Sequence, residues 1–83
     1  YGKRLISVYP NPATDYLLIR VDNPEISNIS FQLFNMSGKL VERRQLPNNE
    51  TSIDFSDLES GIYYLKVIEN NKELRTFKII KNQ

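Results

Sequence analysis

The chain contains neither cysteine nor histidine, and it has few glycines. Without these two residue types, serine–histidine and cysteine–histidine nucleophilic catalysis are excluded within the chain. Most zinc sites are excluded with them, because zinc is bound mainly through cysteine and histidine. The glycines, Gly2, Gly38 and Gly61, lie too far apart to form a phosphate-binding loop. The sequence therefore predicts a domain that is not an enzyme and that has no metal or cofactor.

Strong charge of one sign is also lacking. The formal net charge is +1, and the sequence pI is about 8.2. A nucleic-acid-binding domain of this size usually has a pI above about 9 and a clustered basic face. No apolar run approaches the roughly 18 residues of a membrane-spanning helix. We therefore expect neither a nucleic-acid partner nor a membrane span.

The length of 83 residues allows one domain. Hydrophobic residues make up 40% of it and aromatic residues 11%, which is enough for a core without disulfides. The first residue is Tyr1 and the single methionine is Met36, so we expect a processed piece or a cloned fragment of a longer protein, in which any export signal would lie upstream. Residues 1–7 are interpreted as a linker remnant with the start of the first strand, and residues 8–83 as the domain.

The apolar residues recur with period 2, which is typical of β-strands. In the second strand this alternation predicts that Leu17, Ile19 and Val21 face the core. Residues 39–46 lack helix caps and are predicted to form a charged edge strand. The predicted strands are Leu5–Tyr9, Tyr16–Val21, a set marked by Ile29, Phe31 and Leu33, Lys39–Leu46, a short one marked by Ile53 and Phe55, Ile62–Ile68, and about Glu73–Ile80. About seven strands at this spacing indicate an all-β sandwich.

Turn residues separate these strands. Pro10 and Pro12 end the first strand because proline lacks a ladder donor. Asn35–Gly38 predicts a tight hairpin whose glycine adopts positive φ. Asn70 and Asn71 suit a two-residue hairpin turn, since asparagine tolerates the left-handed region.

A small acidic group allows two interpretations. Asp54, Asp57 and Glu59 could form a calcium site or a carboxylate pair for acid–base chemistry. Alternatively, Ser56 and Asp57 hydrogen-bond the backbone of a turn while Glu59 faces water. The second interpretation is favoured, because the spacing fits a calcium loop poorly.

Basic residues accumulate near the end of the chain, at Lys72, Arg75, Lys78 and Lys81. They could bind a phosphate or an acidic receptor groove. From the residues alone, a solvated strand face is favoured, with lysines that block edge-to-edge pairing. Four tyrosines, Tyr9, Tyr16, Tyr63 and Tyr64, could form a sugar-stacking platform. Alternation places Tyr63 and Tyr64 on opposite faces, which favours core and half-buried roles instead.

Several segments, taken in order, resemble the type A C-terminal sorting domain of the type IX secretion system. The similarity lies in Val8–Ala13 followed by Asp15 and the Leu17/Ile19 alternation, Gly38-Lys39 after Phe34-Asn35, Ile53–Leu58, Gly61–Val67 and Lys78–Lys81. It spans residues 8–81. The resemblance implies an immunoglobulin-like β-sandwich fused behind a cargo protein such as a protease, adhesin or glycanase.

The resemblance also implies a function and a set of partners. The cargo would enter the periplasm by an ordinary signal peptide and cross the outer membrane through a translocon with its shuttle protein. A sortase-like cysteine protease would then usually remove the domain, leaving the cargo at the cell surface, commonly on lipopolysaccharide, or outside the cell.

Particular residues follow from the same resemblance. Recognition by the translocon or sortase is expected to involve Gly61, Tyr63, Lys78, Ile79 and Lys81, although Gly61 and Tyr63 equally suit a turn and the core. The structural motif residues of the family correspond to Tyr9, Pro10, Asn11, Pro12, Gly38, Leu58 and Ile62. Reversing the charge of both lysines is expected to abolish export without changing the melting temperature. The oligomeric state stays open, and the alternative function is an accessory carbohydrate- or protein-binding module.

Overall fold

The fold is a sandwich of two antiparallel β-sheets. The computed structural model describes residues 6–22, 29–46 and 50–82. The strands are β1 (Ile6–Tyr9), β2 (Tyr16–Val21), β3 (Ile29–Asn35), β4 (Leu40–Gln45), β5 (Glu50–Asp54), β6 (Gly61–Glu69) and β7 (Lys72–Lys81). One sheet has the order β1-β2-β5 and the other the order β4-β3-β6-β7. This arrangement confirms the predicted immunoglobulin-like β-sandwich.

The core lies between the inward faces of the two sheets. In β2, the buried positions are Leu17, Ile19 and Val21, as the alternation predicts. The other sheet contributes side chains from its two central strands and from β7. The largest fully buried side chains are Phe31, Phe55, Leu17, Ile19, Leu33, Ile53, Leu65, Ile79 and Val67. Both sheets therefore supply large apolar side chains to one continuous core.

The predicted edge strand and hairpins are also confirmed. β4 pairs with β3 on one side and lies at the margin of the four-stranded sheet. Gly38 has φ 89°, and Asn70 and Asn71 have φ 50° and 67°. In the first hairpin, the Asn35 side chain accepts hydrogen bonds from the backbone N–H groups of Ser37 and Lys39, each at 3.0 Å. This side chain and the positive φ of Gly38 together close the turn.

The fifth strand differs from its predicted position. It begins at Glu50 and ends at Asp54, so Phe55 lies just beyond it. Phe55 is nevertheless fully buried, and its N–H donates to the carbonyl of Asp15 at 2.9 Å. The predicted start of the first strand at Leu5 falls outside the described residues. Within the described ranges, no helix is long and apolar enough to cross a membrane.

Candidate functional site

The last strand, β7, lies at the edge of the four-stranded sheet. Its inner edge pairs with β6 from Lys72 to Lys81. Its outer edge is divided into two parts. Residues 78–82 are covered by the segment around Asn11 and Ala13. Residues 72–77 have no backbone partner on that side among the described residues, so this half of the edge is open.

The side chain of Asn11 forms two hydrogen bonds with the backbone of β7, in the way that a neighbouring strand would. Its Nδ2 donates to the carbonyl of Lys78, and its Oδ1 accepts from the N–H of Ile80, both at 3.0 Å. A side-chain amide places an N–H donor and a carbonyl acceptor side by side, so it can pair with a strand edge much as a peptide group does. The Asn11 side chain therefore satisfies two outward backbone groups of β7 that would otherwise face solvent.

Ala13 continues this pairing with its own backbone. Its N–H donates to the carbonyl of Ile80 at 2.7 Å, and its carbonyl accepts from the N–H of Asn82 at 2.8 Å. The pairing is parallel, and the Ala13 side chain is fully buried. The motif around Pro10 and Pro12 thus attaches the start of the domain to the end of its last strand. We refer to Asn11 and Ala13 together as the edge clamp.

Lys81 is buried, with an exposed fraction of 7%. Its Nζ donates to the carbonyl of Leu58 at 3.0 Å. Tyr63 has the same exposed fraction, and its hydroxyl donates to the next carbonyl, that of Glu59, at 2.6 Å. The two side chains therefore hold consecutive carbonyl groups of the loop that precedes β6. The Tyr63 ring also packs edge-to-face against Phe55, with centroids 5.8 Å apart.

The five predicted recognition residues do not form one exposed surface. Tyr63, Ile79 and Lys81 are buried, whereas Lys78 and Gly61 are exposed. Gly61 has φ 149° and pairs with Lys81, so it begins β6 in a conformation that favours glycine. An external protein can reach the side chain of Lys78 directly. Tyr63 and Lys81 hold the loop before β6 through their hydrogen bonds, and Ile79 anchors β7 in the core.

The remaining motif residues have structural positions. Leu58 is half-buried against the core, and Gly38 closes the first hairpin. Ile62 is half-buried on the outer face of the four-stranded sheet. Tyr9 is 39% exposed, and its hydroxyl donates to Glu50 Oε2 at 3.1 Å. That hydrogen bond raises the pKa of the Tyr9 phenol above its usual value.

The acidic group is organised around Asp54. Its Oδ1 accepts hydrogen bonds from the backbone N–H of Ser56 at 2.9 Å and from the Ser56 hydroxyl at 2.6 Å. These bonds lower the pKa of the Asp54 carboxyl below its usual value. The turn is thus bound by Asp54, and not by the Ser56 and Asp57 side chains as the sequence suggested. Among the residues that the structure describes, no group of acidic side chains is arranged to hold a metal ion.

The tyrosines do not form a common platform. Tyr63 faces the core, and Tyr64 lies on the outer face of the four-stranded sheet with 38% exposure. Tyr9 and Tyr16 lie on the outer face of the other sheet. The predicted opposition of Tyr63 and Tyr64 is confirmed, and the stacking platform that would have supported sugar binding is divided between two opposite surfaces.

These features define a class of protein: a small β-sandwich whose terminal strand is attached to the motif at the start of the domain. The model of the family described as "Secretion system C-terminal sorting domain" matches residues 7–82. The chain belongs to this family, the C-terminal sorting domains of the type IX secretion system. Its function is to direct secretion across the outer membrane, and it carries no catalysis of its own.

Two curated proteins show the context of such domains. Ulvan lyase NLR42 of Nonlabens ulvanivorans is 36% identical over 93% of this chain, which spans 14% of that protein. Funoran endo-beta-hydrolase of Wenyingzhuangia aestuarii is 23% identical over 93% of this chain, which spans 10% of it. The chain therefore corresponds to a small part of each relative, and the named enzyme activities belong to those full-length proteins.

A solved structure shows the same fold. It is that of PorZ, described as an essential bacterial surface component of the type IX secretion system of Porphyromonas gingivalis. The TM-score is 0.76 at 18% identity, over 94% of this chain and 11% of the PorZ chain. At this identity the likeness establishes a shared β-sandwich architecture.

Proposed function

We propose that the export machinery recognises this domain in its folded state, through the terminal strand β7. The partners are an outer-membrane translocon and its shuttle protein, and a sortase-like protease afterwards removes the domain from its cargo. Residues 8–83 act as the sorting unit, and residues 1–7 supply the start of β1 and the connection to the cargo. Gly61, Tyr63, Lys78, Ile79 and Lys81 determine recognition, either by contact or by holding the strand in place.

The main support for this proposal is that half of the outer edge of β7 is open to a partner. The outward backbone groups at Lys78, Ile80 and Asn82 bind the edge clamp. Because outward groups alternate along a strand, Thr76 also directs its N–H and carbonyl outward. Thr76 has no backbone partner on that side among the described residues, so a strand of a partner could pair there. Strand addition of this kind supplies main-chain hydrogen bonds to an incoming peptide.

The side chains support separate roles for the recognition residues. Lys78 is exposed next to the open edge and can contact an acidic partner directly. Lys81 and Tyr63 are buried and fix the loop at Leu58 and Glu59. Ile79 is fully buried and anchors the strand in the core. Substitution at these three buried positions would act on export through the shape of the strand.

The first experiment is export of a neutral reporter. Residues 1–83 are fused behind a reporter with an ordinary signal peptide, in a bacterium that has a type IX secretion system. The reporter is expected in the medium or at the cell surface, and the same reporter without the domain is expected to stay in the periplasm. Equal retention of both proteins in the periplasm would refute the proposal.

A further inference from the structure

The outer face of the four-stranded sheet carries a continuous apolar surface. Leu40 pairs with Phe34, and Phe34 pairs with Tyr64 across the next strand boundary. On the adjacent row, Ile62 pairs with Ile80. Directly opposed side chains in antiparallel strands lie about 5 Å apart. Ile62 and Tyr64 are two residues apart on the same face of β6, so the five residues form a row of neighbours across the four strands. We call them the apolar band.

The apolar band is accessible to solvent. Leu40 is 43% exposed, Ile80 is 42% exposed and Tyr64 is 38% exposed. Phe34 and Ile62 are half-buried between them. Single exposed apolar residues are ordinary, but a contiguous set across four strands is typical of a surface that binds another protein.

Cationic side chains border the apolar band. Lys78 lies opposite Tyr64, and Lys66 Nζ lies 5.5 Å from the centroid of the Phe34 ring. Arg43 is opposite Gln32 on the same face. Among the described residues, two carboxylates lie near these cations and the band: that of Glu73, 3.9 Å from Lys66, and that of Glu59, which lines a depression together with Ile62. The border of the apolar band is therefore mainly positive.

The charge determines the kind of partner. Two copies of this chain packed through the apolar band would place one positively bordered surface against another. Like charges at an interface oppose association, whereas carboxylates opposite lysines favour it. A complementary partner has an apolar patch bordered by aspartate and glutamate.

We propose that the apolar band, with Lys66 and Lys78, is a second docking surface, which binds a folded protein through an apolar patch with an acidic border. It is distinct from the open edge of β7, because it uses the sheet face and not the backbone. The inference rests on the proposed function, because its test measures export of the reporter fusion. One partner would bind the edge of β7 by strand addition, and the acidic partner would bind the outer face of the sheet through the apolar band.

The test compares matched variants of the reporter fusion. Ile80→Thr, Tyr64→Thr and Lys78→Gln alter the docking surface, while Tyr16→Thr and Arg20→Gln make the same kinds of change on the outer face of the other sheet. Tyr16 is 47% exposed. The altered positions are exposed, so all five variants are expected to keep the wild-type melting temperature. Export of the first three is expected to fall about tenfold, as truncation of an interface anchor typically gives, with no change for the two controls.

The identity of the partner is tested by photo-crosslinking from positions 80 and 16, followed by mass spectrometry. A crosslink from position 80 to an acidic protein surface is expected, with export of Lys78→Glu restored by an Asp→Lys or Glu→Lys change in that surface. Crosslinks to the reporter, to a second copy of the chain or to a surface without carboxylates would overturn the inference. Export of all variants at the wild-type level would also overturn it, whereas failure of the wild-type fusion itself would refute the proposed function.

Discussion

The ammonium group of Lys81 donates a hydrogen bond to the carbonyl of Leu58 at 3.0 Å, from a side chain that is almost completely buried. The residue that would be expected to meet a receptor is therefore part of the internal structure. It connects the end of β7 to the loop before β6, beside the parallel contact from Tyr63 to Glu59. Substitutions of Lys81 and Lys78, which look equivalent in the sequence, should consequently have different effects.

Lys81→Met is expected to destabilise the domain. The methionine keeps much of the buried stem but leaves the Leu58 carbonyl without a donor, which costs about 2 kcal/mol of unfolding free energy. For a domain of this size that corresponds to a fall in melting temperature of roughly 8–16 °C. Lys78→Met changes an exposed side chain and should stay within about 0.5 kcal/mol of wild type. Equal melting temperatures for Lys81→Met and wild type would show that the hydrogen bond contributes nothing.

The burial of Lys81 revises the expectation that reversing the charges of Lys78 and Lys81 leaves the melting temperature unchanged. Lys81→Glu would place a carboxylate near the Leu58 carbonyl in a buried site, which is unfavourable for both groups. Loss of export in the double variant would then combine unfolding with loss of contact. The single variant Lys78→Glu isolates the contact.

The Asn11 side chain should protect one amide of β7 from hydrogen exchange. Asn11→Ala removes both of its bonds to the strand and is expected to cost about 1 kcal/mol, because Asn11 is exposed. The N–H of Ile80 should then exchange faster with solvent. Asn11→Asp is the matched control, since it keeps the acceptor for Ile80 and loses the donor to Lys78. If the Ile80 amide exchanges as slowly in Asn11→Ala as in wild type, the edge clamp does not protect this amide.

Thr51→Val should stabilise the domain. The Thr51 hydroxyl is buried and has no hydrogen-bond partner among the described residues. A buried hydroxyl without a partner is unfavourable, so its replacement by a methyl group of similar shape should add about 1 kcal/mol. Thermal denaturation of wild type and variant measures the difference. Thr51→Ser keeps the hydroxyl and should not be stabilised, and a lower melting temperature for Thr51→Val would contradict the account.

The turn at Asp54 should make stability depend on acid pH. The pKa of its carboxyl is lower in the folded domain than the usual value of an aspartate, because Ser56 donates to the carboxylate. The stabilisation is therefore fully present above that value and is lost as the pH falls through the lower, folded-state pKa. The advantage of wild type over Asp54→Asn in melting temperature should shrink between about pH 5 and about pH 2. A constant difference across this range would show that the Ser56 bonds do not favour the charged form.

Much of the fold could be predicted because its determinants are local. The period-2 pattern of β2 and the turn residues Gly38, Asn70 and Asn71 depend on near neighbours in the chain. The pattern that directs Phe77 and Ile79 inward also directs Lys81 inward, and this signal was available in the sequence. The general tendency of lysine to be exposed nevertheless predicts a surface position for Lys81.

The contacts that form the site could not be predicted, because they join distant parts of the chain. The pairing of Asn11 with Lys78 and Ile80 depends on how the two sheets are stacked. The apolar character of Phe55 predicts a strand position, yet its side chain enters the core from the residue after β5. The apolar band likewise depends on the register of β3, β4, β6 and β7, which brings its residues into adjacent rows.

Export of the reporter fusion with Thr76→Pro, compared with Thr76→Val, tests most directly whether the open edge of β7 is recognised. Because Thr76 directs its N–H away from β6, proline removes that outward donor and leaves the pairing with β6 intact, while valine keeps the donor. Both variants should remain folded by circular dichroism. The account predicts that Thr76→Val reaches the medium or cell surface like wild type and that Thr76→Pro is retained in the periplasm. A folded Thr76→Pro fusion exported as efficiently as Thr76→Val would contradict recognition at this edge.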